Sequence, residues 1–215
     1  MNLYFDTEFT GLHKDTTLIS LGVVAENGQK FYAEFIDYDV TQCDRWIKEN
    51  VLKNLFLESL NYVNDPSIID KWKSEGYYVT LMPYAPEYGF MQFCWSKLNK
   101  DTKFVKGNAH YISLELEQWL KQFDSVQFVS DVCHYDFVLL IDLFGTAFNL
   151  PENVCAACHD INQDIARHYG ISEKEAFDKS REEIISELCW HEIEGRKHNA
   201  LYDAEVIKAI YEETA

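Results

Sequence analysis

The chain has 215 residues, 47% of them hydrophobic and 15% aromatic, which fits one domain with a sizeable core. A formal net charge of −17 argues against a protein that coats long nucleic acid through a basic footprint, but not against a small acidic pocket whose charge is reversed by bound cations. No apolar run reaches the roughly 18 residues of a membrane span, and the opening MNLYFDTEF lacks a basic stretch leading into an apolar one, so a cytoplasmic protein with its six cysteines reduced is expected.

Residues 2–9 (NLYFDTEF), 17–26 (TLISLGVVAE) and 30–36 (KFYAEFI) read as strands. The last two are joined by Asn27-Gly28, a hairpin signal, so the N-terminal part is predicted to be an antiparallel meander. Residues 44–57 read as a helix with Trp46, Ile47, Val51 and Leu55 on one face. The stretch of about 61–108 is aromatic-rich and punctuated by Asp65-Pro66, Gly76, Met82-Pro83, Ala85-Pro86 and Gly89, and reads as an insertion with its own short elements. An amphipathic helix is predicted at 111–123, a strand at 125–130, a helix at about 135–147, a buried strand at 153–158 and a helix at 160–169. A strongly charged helical stretch at 172–188 and a last helix at about 200–213 complete the chain. Strands followed by alternating strands and helices imply an α/β fold with a mixed sheet, as a single domain over 1–215.

Three segments place acids where the pattern calls for apolar residues. Asp6 and Glu8 share one face of the first strand with Tyr4, while Leu3 and Phe5 point the other way. Two carboxylates at that spacing repel unless a cation lies between them. Asp136 heads the stripe Leu139, Leu140, Leu143 on its helix, and Asp203 lies within the stripe Val206, Ile207, Ile210 of the last helix. An acid on a buried face is costly unless it is paired or binds metal, and carboxylate oxygens suit Mg²⁺ or Mn²⁺. Glu205 falls off that stripe and reads as solvated. His198 precedes Asp203 by five residues, about 500° on a helix, so it fits a loop before the helix better than the helix itself. Gly195 is consistent with that loop, and an imidazole there is suited to accept a proton from water.

Asp6-Thr7-Glu8, the Tyr135-Asp136 pair heading a Leu-rich helix, and H-x-A-x-x-D at 198–203 together resemble the three exonuclease motifs of the DEDDh 3′–5′ exonucleases in the ribonuclease H-like superfamily. YFDTEF, LISLGVVAENGQKFYAEF and HYDFVLLIDLFG are most similar to the mycobacterial-type exoribonuclease subgroup, and the resemblance covers about 1–57 and 111–213. It implies a mixed central sheet flanked by helices and hydrolysis with two divalent cations, Mg²⁺ or Mn²⁺, acting on single-stranded RNA or a short oligonucleotide, with DNA as the alternative substrate. Asp6 would touch both cations, Glu8 and Asp203 would complete the first, Asp136 would hold the second, and His198 would act as general base. Thr10, Gly11 and Leu12 fall where relatives hold the terminal nucleotide. Phe9 replaces a commonly small or polar residue there, and His134 stands where an Asn is often found. Asp131 is a rival for the second-motif acid, but it lies outside the Leu stripe. Homodimers are a tendency of the family, and a non-catalytic interaction module is the reading from another class.

Two further signals stand apart. Cys155-Ala156-Ala157-Cys158-His159 has the form of a haem c attachment motif, but an exported chain would be needed and no second cysteine pair accompanies it for zinc. Lys97, Lys100, Lys103 and Lys106, clustered around Trp95 and Phe104, make a local basic patch that could guide a strand by phosphate contacts and stacking but reads more readily as a solvated loop.

Overall fold

The computed structural model describes residues 1–57, 66–85, 90–189 and 192–215. The N-terminal meander forms as its hairpin signal predicts: β1 (Asn2–Phe9) pairs antiparallel with β2 (Leu18–Ala25), which pairs antiparallel with β3 (Lys30–Phe35). Gly28 takes the left-handed conformation that the tight turn requires, with φ of 88°. β4 (Tyr78–Ala85), β5 (Phe90–Asn99), β6 (Thr102–Gly107), β7 (Val126–Ser130) and β8 (Val154–Asp160) complete one eight-stranded sheet in the order β4-β5-β6-β3-β2-β1-β7-β8. β7 is parallel to β1, and β8 to β7. The helices are α1 (Arg45–Asn50), α2 (Pro66–Ser74), α3 (Ala109–Leu120), α4 (Cys133–Leu143), α5 (Ile161–Tyr169), α6 (Glu173–Asp178), α7 (Arg181–Leu188) and α8 (Ala200–Thr214).

Strand alternation builds two cores. Leu3, Phe5, Leu21, Val23 and Phe128 face Ile112 and Leu116 of α3 and Phe137 and Leu140 of α4. Tyr4 and Val129 face the other way, against Ile161 and Ile165 of α5 and Val206, Ile207 and Ile210 of α8. The result is a mixed sheet with helices on both faces, an α/β architecture consistent with the ribonuclease H-like expectation. Among the described residues no helix is long and apolar enough to cross a membrane.

Several local expectations change. α1 spans only six residues: Asp44 caps it by accepting from Ile47 N–H, and a separate 3-10 turn follows at Leu52–Asn54. Ile47 and Val51 are core residues, but Trp46 is half exposed. The charged stretch 172–188 is two helices because it holds two N-caps, Ser172 in a capping box with Glu175 and Ser180 bonded to Glu183 N–H. The helix expected at 135–147 begins at Cys133 and ends at Leu143, with a 3-10 turn at Ala147–Asn149. The strand at 153–158 is not buried: β8 is the sheet edge, and Cys155, Ala156 and Ala157 are exposed.

The stretch expected as short inserted pieces widens the sheet. β5 is ten residues long, antiparallel to β4 and β6, and β6 runs parallel to β3. Residues 61–65 and 86–89, with the turn signals at Asp65, Pro86 and Gly89, lie outside the described residues. Pairing with β3 also disperses the lysine patch. Lys106 is buried in an ion pair with Glu34 at 2.9 Å, Lys103 pairs with Glu115 at 2.8 Å, and Lys97 sits over the Tyr77 ring.

Candidate active site

β1 outruns its neighbour. Its pairing with β7 ends at Tyr4 opposite Val129, and β7 closes at Ser130 before the chain turns into α4. Asp6 to Phe9 therefore continue past the carboxyl end of β7, at the kind of strand-end crevice where α/β sheets bind ligands. Asp6 and Glu8 share one face of β1 and line that crevice, and Thr7 between them lines it too. The Thr7 hydroxyl donates to Asp136 Oδ1 at 2.6 Å, while the Ser130 hydroxyl donates to Oδ2 at 2.7 Å.

α8 reaches the site through a close approach. Gly22 pairs with Asp6 across the ladder, and a Cβ at position 22 would lie 2.2 Å from the Ala200 carbonyl oxygen. Only glycine lets the first turn of α8 lie this low over the sheet. Asn199 caps the helix, its side-chain oxygen accepting from Leu201 and Tyr202 N–H. Asp203 in that first turn accepts from the His198 backbone N–H at 2.8 Å. His198 has φ of 62°, left-handed for a non-glycine residue, and its ring meets the Trp46 ring edge-on at 4.9 Å. His198 Nδ1 lies 4.0 Å from Glu8 Oε1.

The acids form two groups whose candidate ligand atoms lie within 4.8 Å of one another: Glu8 with His198 and Asp203, and Asp6 with Asp131 and Asp136. Burial raises the pKa of each of the four carboxylates predicted to bind metal, with neighbouring acids adding to the effect. Asp6 and Glu8 are held well above the ordinary range, and Asp136 and Asp203 are pushed up to about 7. The two hydroxyls on Asp136 oppose that rise. Among the described residues, Asp6, Asp136 and Asp203 have no lysine or arginine nitrogen within ion-pair distance, whereas Asp131 is bound by Arg181 at 2.9 Å. Crowded, unpaired carboxylates are the donor set that hard divalent cations take, so these residues fit such ions. Burial, and then the nearby Lys197 charge, lower the His198 pKa, which keeps the imidazole neutral and able to accept a proton.

All five residues predicted to carry the chemistry line one cavity of about 890 Å³, together with Phe9, Gly11, Leu12 and His134. Thr10 does not line it. Its buried hydroxyl is within 2.5 Å of Gln42 Oε1 and accepts from Thr17 N–H, which ties down the loop after β1. Both second-motif candidates reach the cavity, Asp136 as a buried acid and Asp131 as a partly exposed one. Glu205, expected to be solvated, pairs with Lys30 at 2.6 Å.

The cavity also has walls that spacing along the chain does not reveal. Trp46 comes from α1, Phe177 from α6, Arg181 and Glu182 from α7, and Lys197 from the loop before α8. Phe9 stacks on Tyr135 at 5.7 Å, so an aromatic surface adjoins the acids. Trp46, expected on the apolar face with Ile47 and Val51, is instead half exposed and lines the cavity. The Cys155–His159 motif forms no ligand set among the described residues. Cys158 points toward Cys133, Sγ to Sγ 3.0 Å, His159 bonds Asp164, and Cys155 is exposed.

No protein-family model matches the chain. It is similar to the 3′-5′ exoribonucleases of two strains of Mycobacterium tuberculosis, CDC 1551 and H37Rv, each 26% identical over 165 residues that cover 76% of this chain and 73% of the relative.

Proposed function

We propose that this chain is a DEDDh-type, divalent-metal-dependent 3′–5′ exoribonuclease that releases nucleoside 5′-monophosphates from single-stranded or short RNA. The observation that carries the reading is the pair of adjoining acid groups, one of which includes His198, at the strand end of an aromatic-walled cavity. The similarity to two proteins named 3′-5′ exoribonucleases supports a nuclease acting on RNA.

In this reading Asp6, Glu8, Asp136 and Asp203 would hold two divalent cations. Bound Mg²⁺ or Mn²⁺ would neutralise the scissile phosphate and activate water. His198 takes the proton of the attacking water, which its lowered pKa allows at neutral pH. Water adds to phosphorus, the 3′ oxygen of the preceding nucleotide leaves, and the products are a 5′-monophosphate and a chain shorter by one residue. Leu12, which is exposed at the mouth, and the stacked Phe9 and Tyr135 provide apolar surface for bases, and Gly11 lets the backbone approach. A cavity of about 890 Å³ has room for a terminal nucleotide and its neighbour.

The test is digestion of 5′-labelled single-stranded RNA and DNA of equal sequence with Mn²⁺, Mg²⁺ or EDTA, beside Asp6→Asn and His198→Ala. A metal-dependent ladder shortening from the 3′ end on RNA, lost in both variants, is expected. Shortening of DNA in preference to RNA would reassign the substrate, and cleavage that persists in EDTA would sink the metal mechanism.

A further inference from the structure

We propose that Asn54 is the positioning residue for His198, holding it over the carboxylates by gripping the backbone on both sides of it. The inference rests on the reading of His198 as the base. Asn54 Nδ2 donates to the Lys197 carbonyl at 2.8 Å, and the Asn54 carbonyl accepts from Asn199 Nδ2 at 2.8 Å. The residues before and after His198 are thus bound to the same residue. His198 needs such restraint, because a left-handed backbone at a non-glycine position persists only where its surroundings enforce it.

The grip is itself anchored. The second N–H of Asn54 Nδ2 goes to the Asn50 carbonyl at the end of α1, and Asn54 N–H bonds Val51 O. α1 also carries Trp46, which meets the His198 ring, so the helix that anchors Asn54 also contacts the imidazole. On the far side, Glu34 accepts the N–H groups of Phe56 and Leu57 at 2.7 and 2.8 Å and the Lys106 ammonium at 2.9 Å, which fixes the chain just after Asn54. Asn199 Nδ2 also reaches Tyr32 OH, which donates to Glu34. The side chain needed at position 54 is an amide: one nitrogen must present two N–H groups to two carbonyls. None of the Asn54 bonds touches Asp6, Glu8, Asp136 or Asp203.

Asn54→Asp keeps the shape and turns the donor into an acceptor facing two carbonyl oxygens. On single-stranded RNA with Mn²⁺ the full chain carrying it is expected to lose roughly 10- to 100-fold in kcat, the scale of a small misplacement of a catalytic group, with KM unchanged. Mn²⁺ affinity, read by calorimetry, should stay at the wild-type value. In a His198→Ala background the same substitution should cost nothing further, because its effect passes through the imidazole. Asn54→Ala, run through the same cycle, serves if the aspartate variant does not fold by circular dichroism. Wild-type kcat in the folded Asn54 variants, weakened Mn²⁺ binding, or an equal loss with and without His198 would each overturn the inference while leaving the base reading intact. Full activity in His198→Ala alone would remove the base reading, and this inference with it.

Discussion

At the residue scale the site depends on how each carboxylate is partnered. Asp136 is buried and held by two hydroxyls, whereas Asp6, Glu8 and Asp203 face the cavity with one another for neighbours. Thr7→Val keeps the shape of the side chain and removes one donor. It is expected to cost about 1–3 kcal/mol at pH 8, where an ionised Asp136 loses a charge-assisted bond, and less at pH 5, where the acid keeps its proton. Urea unfolding at the two pH values measures the difference. Asp6 and Glu8 were legible in the sequence because a strand's period of two leaves no choice of face, and Asp203 because it interrupts an apolar stripe. The choice between Asp131 and Asp136 was not fully legible, since both lie near the end of β7. In the fold both stand beside Asp6 with different partners: Arg181, fifty positions away, pairs with Asp131, while Thr7 and Ser130 bind Asp136.

At the element scale two contacts hold the site together. Gly22→Ala places a methyl group against the Ala200 backbone, at a distance that forces α8 to lift. Overpacking of this kind costs about 1–3 kcal/mol, and because Asp203 and the His198 loop ride on α8, activity should fall further than stability. Denaturation midpoints compared with RNA digestion at a temperature where the variant remains folded would show whether the two losses separate. The second contact is the Lys106–Glu34 pair, which joins β6 to β3. Lys106→Met leaves a buried carboxylate without its cation and is expected to cost about 3–5 kcal/mol. Lys106→Met with Glu34→Gln should recover part of that loss in the same unfolding measurement. Neither contact is visible along the chain. Gly22 reads as an ordinary weak point in a strand, and Lys106 reads as part of a surface patch until β6 is known to pair with β3.

For the whole molecule, the acid cluster is expected to couple stability to pH and, on the proposed reading, to cations. An unfolded chain ionises these groups near pH 4, but the folded chain holds their protons up to about pH 7 for Asp136 and Asp203 and raises Asp6 and Glu8 as well. Between those limits the folded state binds more protons than the unfolded state, so stability falls as pH rises. In EDTA the melting temperature should therefore drop from pH 5 to pH 8, and Mn²⁺ should raise it more at pH 8 than at pH 5. Thermal unfolding at both values with and without Mn²⁺ checks this, and a Mn²⁺ effect independent of pH would argue against the carboxylates as ligands. Periodicity and turn chemistry along the chain suffice for the meander, the alternation of later strands and helices, and the acids on β1 and α8, because these are local consequences of backbone geometry. The aromatic and charged walls of the cavity, the hold of Asn54 on the His198 loop and the edge position of β8 arise only when the sheet order brings distant segments together. Single-chain spacing carries no information about such contacts, since their partners are chosen by burial and hydrogen bonding across the fold.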